Sequence, residues 1–267
     1  MAQRSMTAQL VGGPTLIMEV GGLRIITDPT FDEPRDYPVM FVPDVVQPPR
    51  PLCKTEKPAV TPEEVGRIDV ALVSHDHHED NLDRLGRQFL ETVEHVFTTN
   101  EGAKRLGGRA IGLEDYASVT LDIPGGGTMT VTGVPAHHGP DGIWEAVGPV
   151  AGFVLSGDVP TTYISGDNAS IEVVREIAAR FPDVELAVLF AGNPGWDELA
   201  DGVCVTMNGE SCVEVSDLWP EATVVPVHYD SWDHFREGAE GIAQAFAVSG
   251  KEDRLKVLTR GAVATVV

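Results

Sequence analysis

A mixed α/β fold, two sheets packed together with helices outside, is what this sequence predicts. Three observations carry it. Short apolar, β-branched runs recur along the chain, several of them joined by glycine turns. Segments with helical apolar spacing stand between and after those runs. No linker-like break or low-complexity tract divides the 267 residues, a length that one large domain can fill. The expected organisation is a single domain over 1–267, built as two halves of similar logic, roughly 1–150 and 151–267.

Element by element, GGPTLIMEVGG and LRIITDPTFD read as a hairpin turning at Gly21-Gly22. Eight prolines between Pro34 and Pro62 then exclude a helix and disfavour a central strand. A connection of that length is read as a loop covering a site. Thr61-Pro62-Glu63-Glu64 has the cap, first-turn proline and early acids of a short helix. IDVALVS at 68–74 suits a buried strand, and Leu82, Leu85 and Phe89 predict a helix opening near Asn81. SVTLDI and TMTVTGV flank Gly125–Gly127 as a second hairpin. FVLSG, TTYISGD, ELAVLFAG and TVVPVH supply later strands, with helices expected over about 170–181, 209–218 and 236–248.

Composition narrows the function classes. A formal net charge of −22 would repel a phosphate backbone, so nucleic acid is an unexpected partner. No apolar run approaches the roughly 18–20 residues of a membrane span. The start, MAQRSMTAQLVGGPTL, lacks the pattern of a secretory signal, which makes the cytoplasm the expected location. Cys53, Cys204 and Cys212 have neither even number nor CxxC spacing, so no disulfide framework or cysteine zinc site is indicated.

The chemistry concentrates where strand-like runs stop. SHDHHEDNLD at 74–83 holds three histidines and four carboxylates directly after VALV. His137 and His138 follow TVTGVPA, Asp167 follows TTYISG, and His228 follows TVVPV. HxH alone is weak evidence, Asp167 could equally cap a helix, and His228 could be packing. Four strand ends meeting at one sheet edge would instead form a metal site. Neutral imidazole binds zinc, iron or manganese, and a carboxylate can bridge two ions. His75 and His77, with His138 or His137, would hold one ion. Asp80, Asp167 and His228 would serve a second, and two ions sharing a hydroxide give a nucleophile at neutral pH.

TDPTFD (27–32), SHDHHEDNLD (74–83), PAHHGP (135–140), YISGDN (163–168) and VPVHYDSW (225–232) together resemble the metallo-β-lactamase superfamily. The nearest branch by motif holds the L-ascorbate-6-phosphate lactonases and, more distantly, N-acyl-phosphatidylethanolamine phospholipase D. The resemblance implies a four-layer αββα sandwich with a metal site at one edge of both sheets. It implies His75, His77 and His138 as first-ion ligands, Asp167 as the bridging carboxylate, His228 as a second-ion ligand, and Asp28 as a buried aspartate supporting the ligand loop. One departure stands out: the family's HxHxDH run is one residue longer here, and Asn81 stands where a histidine belongs if DNLD matches DHLD. The second ion should then bind less tightly or be absent. His78 is expected to face solvent or substrate rather than to substitute as a ligand.

The resulting expectation is a metal-dependent hydrolase with one or two divalent ions, zinc first and manganese or iron as alternatives. A metal-bound hydroxide would attack an ester, lactone or phosphodiester, Asp80 orienting or deprotonating the water and Asp167 positioning the ions. Trp144, Tyr229 and Trp232 are expected at the wall of a small-molecule pocket, core packing being the alternative for each. Arg35, Arg50 and Lys54 are the nearest cations for a phosphorylated substrate. The contrary reading is a catalytically weak or inactive metal-binding scaffold of the same fold. Homo-oligomers are expected from the resemblance alone.

Overall fold

The computed structural model describes residues 5–38, 51–195 and 204–267. Tight glycine turns start the chain: β1 (Met6–Gly12), β2 (Thr15–Val20) and β3 (Leu23–Thr27) form an antiparallel meander, with Gly21 and Gly22 at positive φ in the second turn. A short edge hairpin follows, β4 (Arg35–Tyr37) against β5 (Leu52–Lys54). This corrects the reading of the proline-rich stretch as loop throughout: prolines exclude a central strand, and an edge pair needs few ladder bonds. The intervening 39–50, with Pro43, Pro48, Pro49 and Arg50, lies outside the described residues.

Next come α1 (Pro62–Val65), closed by a Thr61–Glu64 capping box, β6 (Val70–Leu72), and α2 (Arg84–Leu90), capped by Asp83. That helix opens after the Asn81 predicted for it because Asp83 carries the capping oxygen. β7 (His95–Thr98), α3 (Asn100–Leu106) and β8 (Ala110–Gly112) complete this region, and their short runs gave little periodic signal. β9 (Ser118–Asp122) and β10 (Thr128–Ala136) are the expected second hairpin. After them run α4 (Trp144–Val147), β11 (Val150–Gly157), β12 (Thr162–Ile164), α5 (Ile171–Arg180), β13 (Leu186–Phe190), α6 (Gly209–Leu218), β14 (Thr223–Val227), α7 (Ala239–Val248) and β15 (Val263–Thr265).

The first sheet has the order β15-β1-β2-β3-β6-β7-β8 and the second β14-β13-β12-β11-β10-β9. The chain changes sheet between β8 and β9 and returns for β15. Sequence alternation assigns the faces. Leu16, Met18, Leu23, Ile25, Val70 and Leu72 turn toward the second sheet. Ile17, Ile26, Ala71 and Val73 turn out, onto Val65, Phe89 and Leu90 of α1 and α2. Helices α5 to α7 cover the second sheet through Val174, Ile177, Val215, Ile242 and Phe246. Every residue of β13 is buried, as a strand covered on both faces requires. The αββα sandwich is therefore the observed architecture. Among the described residues no helix is long and apolar enough to cross a membrane.

Candidate metal centre

β3 and β6 run parallel, and so do β12, β13 and β14. β10 is antiparallel to β11, which is antiparallel to β12, so β10 shares their direction. The carboxyl ends of β3, β6, β10, β12 and β14 thus lie at one edge of the sandwich. Asp28, His75 and His78 of the 74–83 loop, His138, Asp167 and His228 leave from those ends and are all buried.

His75, His78, His138 and Asp167 each bring one ligand-type atom to within 4.8 Å of the others. His75 Nε2 lies 3.0 Å from His78 Nδ1 and 4.0 Å from Asp167 Oδ2, and His138 Nε2 is 3.5 Å from the same oxygen. His78 is 3 % exposed, which corrects its expected solvent-facing role. The reason is local: the chain turns at His78, whose carbonyl accepts from the Asn81 and Leu82 amides, so the extended alternation that would pair His75 with His77 does not persist. With DNLD aligned on DHLD, His78-Glu79-Asp80-Asn81 coincides with the H-x-D-H half of the motif, and the surplus residue falls between the histidines. His77 is half-buried beside the group, its ring 4.8 Å from that of His75 and 4.6 Å from that of His78. The structure therefore brings His78 into the compact set and leaves the expected His77 at its margin.

On the other side of Asp167 stand the residues assigned to a second ion. His228 Nε2 is 3.5 Å from Asp167 Oδ1 and 3.6 Å from Asp80 Oδ2. Asn81 Nδ2 donates to Asp167 Oδ1 at 3.2 Å. His137 is not in the group: it stacks on Trp144 with ring centres 3.9 Å apart.

Supporting contacts fix the rings. The Ser74 amide and hydroxyl donate to Asp28 Oδ1, at 2.8 and 2.9 Å, and Ser74 Oγ meets His75 Nδ1 at 2.9 Å. That leaves His75 Nε2 facing the cluster. His138 Nδ1 is 2.6 Å from the Val205 carbonyl, so it donates there and Nε2 carries the lone pair toward Asp167. Asp76 turns away, held by Arg105 and Arg87. Asp28 and His228 have positive φ, at 33° and 59°, a strain typical of functional sites.

Burial and mutual charge set the protonation states. Burial, with the neighbouring histidines, holds the His75 imidazole well below its ordinary range. Burial lowers His77 to about 4 and His78 to about 3. Burial would raise Asp80, but His234 and then His228 and His78 bring it below the usual carboxylate range. Asp167 is lowered in the same way by His228, His138 and His75. Burial would lower His228, but Asp167, with Asp80 and Asp28, raises it above its ordinary value. Neutral imidazoles at His75, His77 and His78 and ionised carboxylates at Asp80 and Asp167 are the states a cation requires, whereas at His228 a cation would have to displace a proton.

The donor set fits divalent ions. Two ligands on a tetrahedral ion at ~2.05 Å stand roughly 3.3 Å apart, close to the 3.5–3.6 Å spacings around Asp167 and Asp80. Among the described residues, buried His78 Nε2, His228 Nε2 and Asp80 Oδ1 have no hydrogen-bond partner, as donor atoms that a cation would occupy do.

Two further residues belong to this region that sequence reasoning did not single out. His234 Nε2 lies 3.1 Å from Asp80 Oδ2, and Arg105 anchors the ligand loop through Asp76. The only sequence signal for His234 was a histidine six residues past His228, which is weak alone. Of the expected pocket wall, Trp144 is partly exposed, while Tyr229 and Trp232 are buried, Trp232 packing on Tyr37 and Leu52. Lys54 is buried against Asp83, 3.0 Å away, and so does not face a substrate. Arg35 lines a cleft of about 260 Å³ that His77, Glu79 and Arg84 share.

Residues 23–229 match the model of the Beta-lactamase superfamily domain. A metal-dependent hydrolase from Pelotomaculum thermopropionicum is 30 % identical over 68 % of this chain and 73 % of its own length. An N-acyl-phosphatidylethanolamine-hydrolyzing phospholipase D of Caenorhabditis elegans is 20 % identical over 86 % of this chain and 65 % of its own. The fold matches that of an isothiocyanate hydrolase from Delia radicum gut bacteria with a TM-score of 0.78, at 19 % identity, over 98 % of this chain and 100 % of that one.

Proposed function

We propose, on the premise that this chain belongs to the metallo-β-lactamase superfamily, that it is a hydrolase holding two divalent ions on either side of Asp167. The observation that carries this reading is the convergence of His75, His78, His138 and Asp167, buried and within 4.8 Å, from three separate strand ends. His75, His78, His138 and Asp167 would hold the first ion, and Asp80, Asp167 and His228 the second. Zinc is the first expectation, manganese or iron the alternatives, since imidazole with carboxylate suits all three. Such ions supply Lewis acidity and make water nucleophilic near neutral pH.

The chain's own residues supply orientation and proton handling. Asp80 has one carboxylate oxygen among imidazoles and one with no hydrogen-bond partner among the described residues, so it can orient an attacking water and accept its proton. Burial of the whole cluster excludes competing water and strengthens each charge interaction. Ester or lactone carbonyls and phosphodiesters are the substrate classes this chemistry reaches. The adjoining cleft sets Arg35, Arg84 and Arg87 beside Asp32, Asp76 and Glu79, with Asp32 paired to both Arg35 and Arg84, so its charge is balanced and selects no substrate sign.

The test is metal content per chain in protein purified without chelator, repeated on His75→Ala, beside hydrolysis of lactone and phosphodiester panels. Two equivalents in the wild type, fewer in the variant, and turnover of one panel are expected. No bound metal after reconstitution would refute the reading. Metal with no turnover on either panel would move the assignment to an inactive scaffold.

A further inference from the structure

We infer that His234 is a ligand of the second ion, supplying the imidazole that the ligand loop lacks at Asn81. The inference rests on the two-ion reading above and deepens it. Asn81 carries only a neutral amide, and its Nδ2 is turned to Asp167 as a donor, so the loop itself offers no imidazole on that side. His234 fills the gap in space: its Nε2 stands 3.1 Å from Asp80 Oδ2, the oxygen that His228 Nε2 approaches at 3.6 Å. Two imidazole nitrogens from one loop thus converge on one carboxylate.

The placement of His234 is built, not incidental. It is 3 % exposed. Its carbonyl accepts from the Gly195 amide at 2.9 Å. Asp233, just before it, is tied to Cys53 by bonds in both directions, and Trp232 bridges to Lys54. The β4–β5 hairpin therefore braces the segment from outside. The His228 and His234 rings lie against the same Phe235 ring, at 4.8 and 4.5 Å, which orients both. Asp80, Asp167, His228 and His234 then give two carboxylates and two imidazoles, a donor set of the kind that holds zinc, manganese or iron. The longer ligand loop and the histidine beyond β14 are, on this view, two parts of one rearranged site.

A role through hydrogen bonding alone is the competing explanation, and His234→Gln separates them. The glutamine amide would still donate to Asp80, but its neutral carbonyl is a poor substitute for imidazole as a transition-metal ligand. The experiment is metal stoichiometry and competitive zinc titration of the wild type, His234→Gln, His234→Ala and His138→Ala, with circular dichroism confirming the fold of each. Expected are two ions in the wild type, and one in both His234 variants, with second-ion affinity lowered on the order of 100-fold or more. His138→Ala should lose the other ion and leave the His234-dependent one measurable. Retention of the second ion by His234→Gln with unchanged affinity would overturn the inference, leaving His234 as a residue that positions Asp80. A wild type that binds one ion, insensitive to His234, would overturn it as well while leaving a one-ion hydrolase intact. A wild type that binds none would refute both readings.

Discussion

At the residue scale, the turn at His78 decides which histidines of the 74–83 loop join the buried cluster. In an extended stretch His75 and His77 project to the same side, and that spacing made them a pair. The turn at His78 breaks the alternation, so that His78 Nδ1 meets His75 Nε2 while His77 lies toward the cleft. His78→Ala is therefore expected to lose the first ion, and His77→Ala to retain it; equal loss in both, measured by elemental analysis, would restore His77 as a ligand. Ser74→Ala tests the support beneath His75. It removes the hydroxyl between Asp28 and the ring, and first-ion affinity should fall roughly 10–100-fold. An unchanged zinc titration would mean that packing alone holds the ring.

At the element scale, the site depends on how α2 and the β4–β5 hairpin brace the loop. Asp83 caps α2 through Gly86, accepts from the Asp32 amide and pairs with buried Lys54. Removing one member of a buried pair leaves a charge unpaired, so Lys54→Met should cost about 3–5 kcal/mol, read as a lower denaturation midpoint with unchanged slope. A loss below about 1 kcal/mol would show that the capping bonds suffice for Asp83. α2 also crosses β3's end closely: a Cβ on Gly86 would stand 1.8 Å from the Pro29 carbonyl oxygen. Gly86→Ala should cost at least about 1–3 kcal/mol by overpacking and displace the ligand loop, lowering metal content together with thermal stability. Full metal loading at unaltered melting temperature would contradict that coupling.

At the scale of the whole molecule, the site is held by two sheets whose strand ends meet only after the sandwich closes. If ions are held as proposed, removing them would leave Asp80 and Asp167 buried among histidines, and the binding energy would be lost from the folded state alone. Chelation should lower stability by about 2.7 kcal/mol for each ion previously present at 100 times its dissociation constant. An unchanged melting temperature after complete metal removal would show that the site forms no part of the folding equilibrium.

The sequence by itself determined the layer architecture, the order of its main strands and helices, and the strand ends that bear His75, His138, Asp167 and His228. Those features are local: alternation, capping residues and glycine turns act within a few residues of one another. It also located the departure at Asn81. The point where the chain changes sheet, the return of β15 to β1, the burial of His78 and the approach of His234 to Asp80 were decided only by tertiary structure. Each joins residues through the packing of separate layers, and no spacing along the chain encodes a distance across a sandwich.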